Sequence, residues 1–303
     1  MSADGRAPAL MRACLEGLSV GDAFGDQFFL HTNRHLTARD LPPPPWEWSD
    51  DTEMACSVVT CLRRHGHVDQ DALATSFATR MDAGRRYGAG AGALLERIRG
   101  GHPWRAAVAG SFGGGGSYGN GAAMRVAPLG AYFAGDPARA AAEAARQAEI
   151  THTHPEGIAG AIAVAVAASL AAAGTTAGTT TGTTTGTAED IIEAVLDHTP
   201  GTYVRPGLGR VRRLKKATPE QAAQVLGNGS RVTAQDTVPF ALWAATRHLE
   251  DYPAGVRACV VAGGDMDTTA AIAGGVIAAG TGTDGIPAEW LAAREPLPGW
   301  LEA

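Results

Sequence analysis

Cysteine is scarce in this chain. Its 303 residues hold four: Cys14, Cys56, Cys61 and Cys259. None forms a CxxC pair, and Cys56 and Cys61 fall on different sides of one predicted helix. That excludes a disulfide framework and a cysteine zinc site. The four read as small buried hydrophobes of a reducing compartment, which places the protein in the cytoplasm. Aromatic residues make up only 6% of the chain. An excess of basic charge is also missing. The formal net charge is −6, which argues against non-specific nucleic-acid binding. The one basic run, Arg210, Arg212, Arg213, Lys215 and Lys216, reads as a solvated helix face. No basic region followed by an apolar run and a cleavage site opens the chain, so no secretory signal is expected. The one segment suggestive of a membrane, Ile158 to Ala173, is mostly Ala with Ser169 inside. It falls short of the roughly 20 apolar residues a span needs. A helix buried on all sides is expected instead, and no membrane partner.

Strand alternation is hard to find, whereas helical patterns recur. Helices are predicted over Met11 to Phe24, Met54 to Arg64, Asp71 to Arg80, Ala138 to Gln147, Ile158 to Ala173, Ala188 to Leu196, Thr237 to His248 and Thr268 to Ala278. The first is expected to begin near Pro8, a residue suited to a first helical turn. The pattern predicts one all-α domain over residues 1–303. Gly174 to Thr187 is a Gly/Thr repeat without an apolar anchor and is expected to be a disordered insertion between two helices.

Two acidic clusters carry the strongest chemical signal. Ser49-Asp50-Asp51-Thr52 follows the proline-rich stretch Leu41 to Trp46, and Asp265-Met266-Asp267-Thr268 follows Gly263-Gly264. Each opens a predicted helix, so helix capping accounts for one side chain: Ser49 in the first, Asp267 in the second. Each cluster nevertheless holds a surplus of carboxylates and hydroxyls. Oxygen donors of this kind suit Mg²⁺ or Mn²⁺, and the two clusters brought together would make a dinuclear site.

Three further segments stand out. Gly113 to Arg125 is a glycine-rich loop feeding a helix, an arrangement that either contacts phosphate or binds nothing. Thr151-His152-Thr153-His154-Pro155 either contacts a ligand or caps the helix after it. Gly21-Asp22-Ala23-Phe24-Gly25-Asp26 reads as a tight turn at a helix end, with Asp22 bonding neighbouring backbone N–H groups.

Taken in order, Gly17 to Gly25, Ser49 to Met54, Gly119 to Arg125, Thr151-His152, Gly264 to Ile272 and Ile286 to Trp290 resemble the ADP-ribosylglycohydrolase family over nearly the whole chain. The resemblance implies a compact, orthogonal multi-helix all-α fold with two Mg²⁺ or Mn²⁺ ions. Carried over by motif position, Ser49, Asp50, Asp51, Asp265, Asp267 and Thr268 would ligate metal. Gly115, Gly116, Ser117, Tyr118, Gly119, Asn120, Gly121, Met124 and His152 would hold ADP-ribose. The chain departs from the family at Phe29, where several members carry a catalytic glutamate. Asp26 and Gln27 are the nearest polar candidates, Asp26 being the one able to supply a carboxylate, and Asp50, Asp51 and Asp26 form the expected catalytic set.

The reaction so implied is metal-dependent hydrolysis of the glycosidic bond between ADP-ribose and an acceptor. Arginine in protein is favoured, with serine, nucleic acid and small molecules open. Two alternatives stand beside it. One is an ADP-ribose-binding module that has lost turnover, suggested by Phe29. The other is a two-metal phosphoesterase acting on a nucleotide.

Overall fold

The scarcity of β-branched runs carries through to the fold. A computed structural model describes residues 3–177 and 187–302. Among these residues there is no strand beyond two isolated bridges, Trp46–Arg294 and Gly119–Thr233. The helices are α1 (Ala3–Asp26), α2 (Asp50–His65), α3 (Gln70–Arg80), α4 (Ala89–Arg99), α5 (Trp104–Ala109), α6 (Gly121–Met124), α7 (Ala127–Tyr132) and α8 (Pro137–Ala148). They continue with α9 (Pro155–Ala177), α10 (Ala188–His198), α11 (Val204–Val211), α12 (Pro219–Leu226), α13 (Ala234–Arg247), α14 (Tyr252–Ala262), α15 (Met266–Thr281) and α16 (Ala288–Ala293).

All eight predicted helices are present, most of them longer than expected. Two expectations about α1 are overturned. Pro8 lies inside the helix instead of opening it. Gly21 to Asp26 is the last part of the helix, not a turn. The glycines serve close approach. A β-carbon at Gly17 would lie 2.3 Å from Ala278 Cβ, one at Gly21 2.2 Å from the Ala270 carbonyl oxygen, and one at Gly25 2.5 Å from that of Met266. Spaced four apart, the three share one face of α1. They let α1 and α15 pack antiparallel with their backbones nearly touching, so the last turn of α1 meets the first turn of α15.

Helix α9 is long and apolar enough to cross a membrane by composition alone. Here 78% of its apolar window is buried against protein. It packs between α7, α8, α10, α13 and α15, as a helix apolar on every side must. Of the predicted Gly/Thr insertion, Gly174 to Ala177 extend α9, and Thr187 caps α10 by accepting from Asp190 N. Residues 178–186 lie outside the described residues. All four cysteines are free and buried. The basic run is solvated as expected, with Arg212 and Lys215 ion-paired to Glu193 and Glu189 at the surface, but it is not a helix face: α11 ends at Val211, so Arg210 alone lies on it.

The C-terminal segment braces the approach to the first acidic cluster. Trp46 N donates to the Ala293 carbonyl at 2.7 Å, and Glu295 N donates to that of Trp46 at 2.9 Å. Trp290 stacks on Phe24 of α1 with ring centroids 4.3 Å apart.

Candidate active site

The site is built where α1 ends and α2 and α15 begin. Ser49 caps α2 by accepting from Asp51 N, and Asp50, Asp51 and Glu53 lie in its first turn. Beneath them sits Asp22 of α1, fully buried. Its Oδ2 accepts from Ser49 N at 3.0 Å, Thr52 N at 3.1 Å and Thr52 Oγ1 at 2.5 Å. Its Oδ1 accepts from Ser49 Oγ at 2.7 Å. Asp22 therefore satisfies backbone donors that the start of α2 would leave bare, and ties α2 to α1. This is the backbone-bonding role read from the sequence, but the donors come from another helix.

Asp22 has a second consequence. Oxygen atoms of Asp22, Asp51 and Asp267 lie within 4.8 Å of one another. The two acidic clusters meet here, and Thr268 Oγ1 is 3.5 Å from Asp51 Oδ2. Asp51 Oδ1 is buried with no hydrogen-bond partner. Nearby, Asp265 Oδ2 accepts from Asn120 Nδ2 at 2.6 Å. Asp267 does not cap α15 as expected: the N-cap position is Asp265, which makes no side-chain capping bond, and Asp267 lies inside the first turn, where its Oδ1 accepts from Thr268 N at 2.7 Å. Gly264, at φ +77°, delivers this turn; a side chain there would strike Asn228.

Burial, then mutual repulsion, pushes these acids away from ionisation. Asp22 rises to about 6 through burial and the charge of Asp267. Asp267 rises to about 7 through burial and Asp265. Asp50 and Asp51 rise well above the usual carboxylate range by burial, with Asp22 and Asp267 adding to it. The repulsion, the orphaned Asp51 oxygen and the all-oxygen donor set fit a hard divalent cation. Asp22 is the member that motif transfer from the family overlooked.

Above the acids opens a cleft of roughly 460 Å³. Asp50, Asp51, Asp265, Asp267 and Thr268 form one side. Ser117, Tyr118, Gly119, Asn120, Gly121, Met124 and His152 form another. Gly115 and Gly116 do not line it: Gly116 is pressed against Thr153 and His154, where a β-carbon would fall 2.3 Å from Thr153 Oγ1. The expected helix after the glycine loop, α6, is a single turn. Asn120 before it donates to Asp265 and to Thr237 Oγ1 instead of capping it. His154 is the capping histidine, its Nδ1 accepting from Glu156 N at 3.1 Å.

Asp26 does not line the cleft either. Its carboxylate takes Arg86 at 2.9 Å, and Arg86 lines the cleft. Burial raises Asp26 to about 7 against the pull of that guanidinium. The wall segments 86–91 and 231–233 carry no motif, and the sequence reading passed over them. Their backbone does show a signal. Arg86, Phe112 and Val232 are the non-glycine residues with left-handed φ among the described residues, and all three line the cleft. Strained backbone gathers where a binding surface over-determines it.

The all-α scaffold presents a buried carboxylate cluster that could hold a metal ion at the foot of a glycine-walled cleft. Comparison supplies the assignment. The family model for ADP-ribosylglycohydrolase matches residues 6–303, and the chain belongs to that family. It is 30% identical to human ADP-ribosylhydrolase ARH3 over 330 residues, covering 94% of this chain and 89% of the relative. An uncharacterised protein of Archaeoglobus fulgidus is 28% identical over 300 residues, covering 92% and 90%. Among solved structures, an ADP-ribosylglycohydrolase-related protein complex superposes with a TM-score of 0.63 at 24% identity, covering 96% of this chain and 93% of that one. That likeness bears on the fold.

Proposed function

We propose that the chain is a metal-dependent hydrolase that cleaves the glycosidic bond between ADP-ribose and an acceptor, with two Mg²⁺ or Mn²⁺ ions at the acidic clusters. The observation that carries this reading is the convergence of Asp22, Asp51 and Asp267 beside the orphaned Asp51 oxygen, at the foot of the cleft. Ser49, Asp50, Asp51, Asp265, Asp267 and Thr268 would hold the ions, with Asp22 bracing them. Divalent cations, when bound, polarise substrate oxygens and lower the pKa of water.

The chain's own groups do the rest. Ser117 to Gly121 and His152 orient the ADP-ribose moiety along the glycine wall. Exposed Phe112 and Tyr118 offer apolar faces to its base. Asp50 and Asp51 line the cleft, and in this reading they take a proton from the attacking water. Their negative charge also favours the positive character that develops at the anomeric carbon as the acceptor leaves. Asp26 acts through Arg86, holding the guanidinium against the wall.

The resemblance favours arginine as the acceptor. Phe29 motivates a second reading, binding without turnover: it is 49% exposed just past α1, and it cannot act as an acid or base. One experiment addresses all of these. Arginine-, serine- and nucleic-acid-linked ADP-ribose are incubated with Mg²⁺ or Mn²⁺ and read by mass spectrometry. Release of intact ADP-ribose from one arm supports the hydrolase and names the acceptor. Tight binding without release supports the binding module, and cleavage at phosphorus supports a phosphoesterase.

A further inference from the structure

Arg125 is a charged side chain with no exposed surface, and nothing in the reaction just described uses it. Its guanidinium lies over the Phe77 ring at 4.5 Å. Nε donates to Gln147 Oε1 at 2.8 Å, and Nη2 donates to the Gln147 carbonyl at 3.1 Å and to Thr151 Oγ1 at 2.9 Å. No carboxylate pairs with it among the described residues. Burying an unpaired cation is costly, so its hydrogen bonds must place something that matters.

What it places is a proton. Thr151 Oγ1 also lies 2.7 Å from His152 Nδ1. The hydroxyl accepts from Arg125, so its own hydrogen is free to donate. His152 Nδ1 is the acceptor the described structure offers it. Were Nδ1 protonated, it and Arg125 would both donate to Thr151, and a buried hydroxyl hydrogen would be stranded. We infer that Arg125, acting through Thr151, fixes His152 as the neutral tautomer with its proton on Nε2, so that the ring is a hydrogen-bond donor to the cleft.

The surroundings of Nε2 agree. A β-carbon at Gly119 would lie 3.3 Å from it, and one at Gly121 would lie 3.0 Å from Cε1 and 3.3 Å from Nε2. A third glycine, Gly157, clears the root of the side chain, where a β-carbon would sit 3.0 Å from His152 Cβ. The glycines thus form an aperture through which the N–H edge reaches the cleft. Burial, with the Arg125 charge adding to it, lowers His152 to about 3, so the ring stays neutral and keeps one proton. A donor of fixed direction suits an acceptor oxygen of the ligand, on phosphate or ribose. Arg125 and Thr151 are positioning residues for it. This step rests on the ADP-ribose reading for its ligand, though not for the tautomer.

The test begins with the ligand-free protein. Histidine is labelled with ¹⁵N, and long-range ¹H–¹⁵N spectra report which ring nitrogen carries hydrogen. The chain has nine histidines, so His152→Gln marks the relevant signals by their loss. At pH 6 His152 should show hydrogen on Nε2 and a bare Nδ1. An Nδ1–H tautomer or an imidazolium there overturns the inference. Thr151→Val removes the hydroxyl at nearly constant shape. It should release the ring to a mixture of states and weaken ADP-ribose binding about tenfold by calorimetry. Thr151→Ser should restore both. A Val variant with the wild-type tautomer and affinity also overturns it. If Thr151→Val fails to fold, the wild-type spectrum decides alone. An Nε2–H ring in a protein that does not bind ADP-ribose leaves the relay standing and removes the proposed function. ADP-ribose binding with an Nδ1–H ring does the reverse.

Discussion

Removing divalent metal should make this protein more stable at pH 5 than at pH 7. An Asp in the unfolded chain ionises near 3.8, whereas Asp22 holds its proton to about 6 and Asp267 to about 7. Between those values the folded chain binds protons that the unfolded chain has released, so stability rises as pH falls. The gain begins as pH drops through about 7 and is complete below 3.8. Protonating one carboxylate relieves its neighbours, so the contributions do not add. One proton taken up by the cluster is worth about 1.4 kcal/mol per pH unit, hence about 3 kcal/mol between pH 7 and pH 5. Exposed Asp40 and Asp71 have lowered values and act the other way only at more acidic pH. Within the window, buried His152, lowered to about 3, opposes the gain by about 2 kcal/mol and His248 opposes it in the same direction, while Asp26, raised to about 7, adds to it. The comparison is therefore made in a His152→Gln background. The assay is urea unfolding in excess chelator at the two pH values. Saturating Mg²⁺ or Mn²⁺ at 100 times Kd should add about 2.7 kcal/mol at pH 7. It should add less at pH 5, because a cation must displace the protons. Asp267→Asn removes one repelling charge. It should raise metal-free stability at pH 7, flatten the pH dependence and abolish stabilisation by metal. A metal-free protein equally or less stable at pH 5 would refute the electrostatic account of the site.

Three substitutions probe the rest of the construction. Gly21→Ala puts a methyl group 2.2 Å from the Ala270 carbonyl, where neither backbone can yield; it should cost about 3 kcal/mol by urea unfolding and weaken metal binding with it. Asp26→Asn should reduce turnover less than about tenfold because its partner is Arg86, whereas a loss of 10²-fold or more would return Asp26 to the catalytic set. Phe29→Glu replaces a half-exposed side chain, so unfolding free energy should stay within about 0.5 kcal/mol, and turnover should hold or rise; unfolding of this variant would show that Phe29 packs into the core.

How far the sequence was legible depends on which physical effect wrote each signal. Long alanine-rich helices such as α9 and α15 announce themselves, because propensity and burial point the same way over many residues. Helices α5, α7 and α16 do not, since one or two turns held by tertiary contact carry too little period to detect, and α4, α11, α12 and α14 were also not predicted. The acidic clusters were legible as a surplus over what capping needs. Their meeting was expected, because each cluster alone has too few oxygen donors for its charge, and it is seen; the packing that achieves it was not, because it rests on Gly17, Gly21 and Gly25. Within a short window those glycines signal a turn, and only the four-residue spacing marks a packing face. Asp22 was hidden by the same misreading: taken as part of a turn, it had no reason to face α2. Placed on a helix, it explains the design of the centre. The N-termini of α2 and α15 converge there, and their partial positive charge offsets some of the acid. The offset is incomplete, as the raised values of Asp22, Asp51 and Asp267 record. The close approach of α1 and α15 holds together a group of charges that would otherwise separate, and that residual repulsion is the free energy a bound cation would recover.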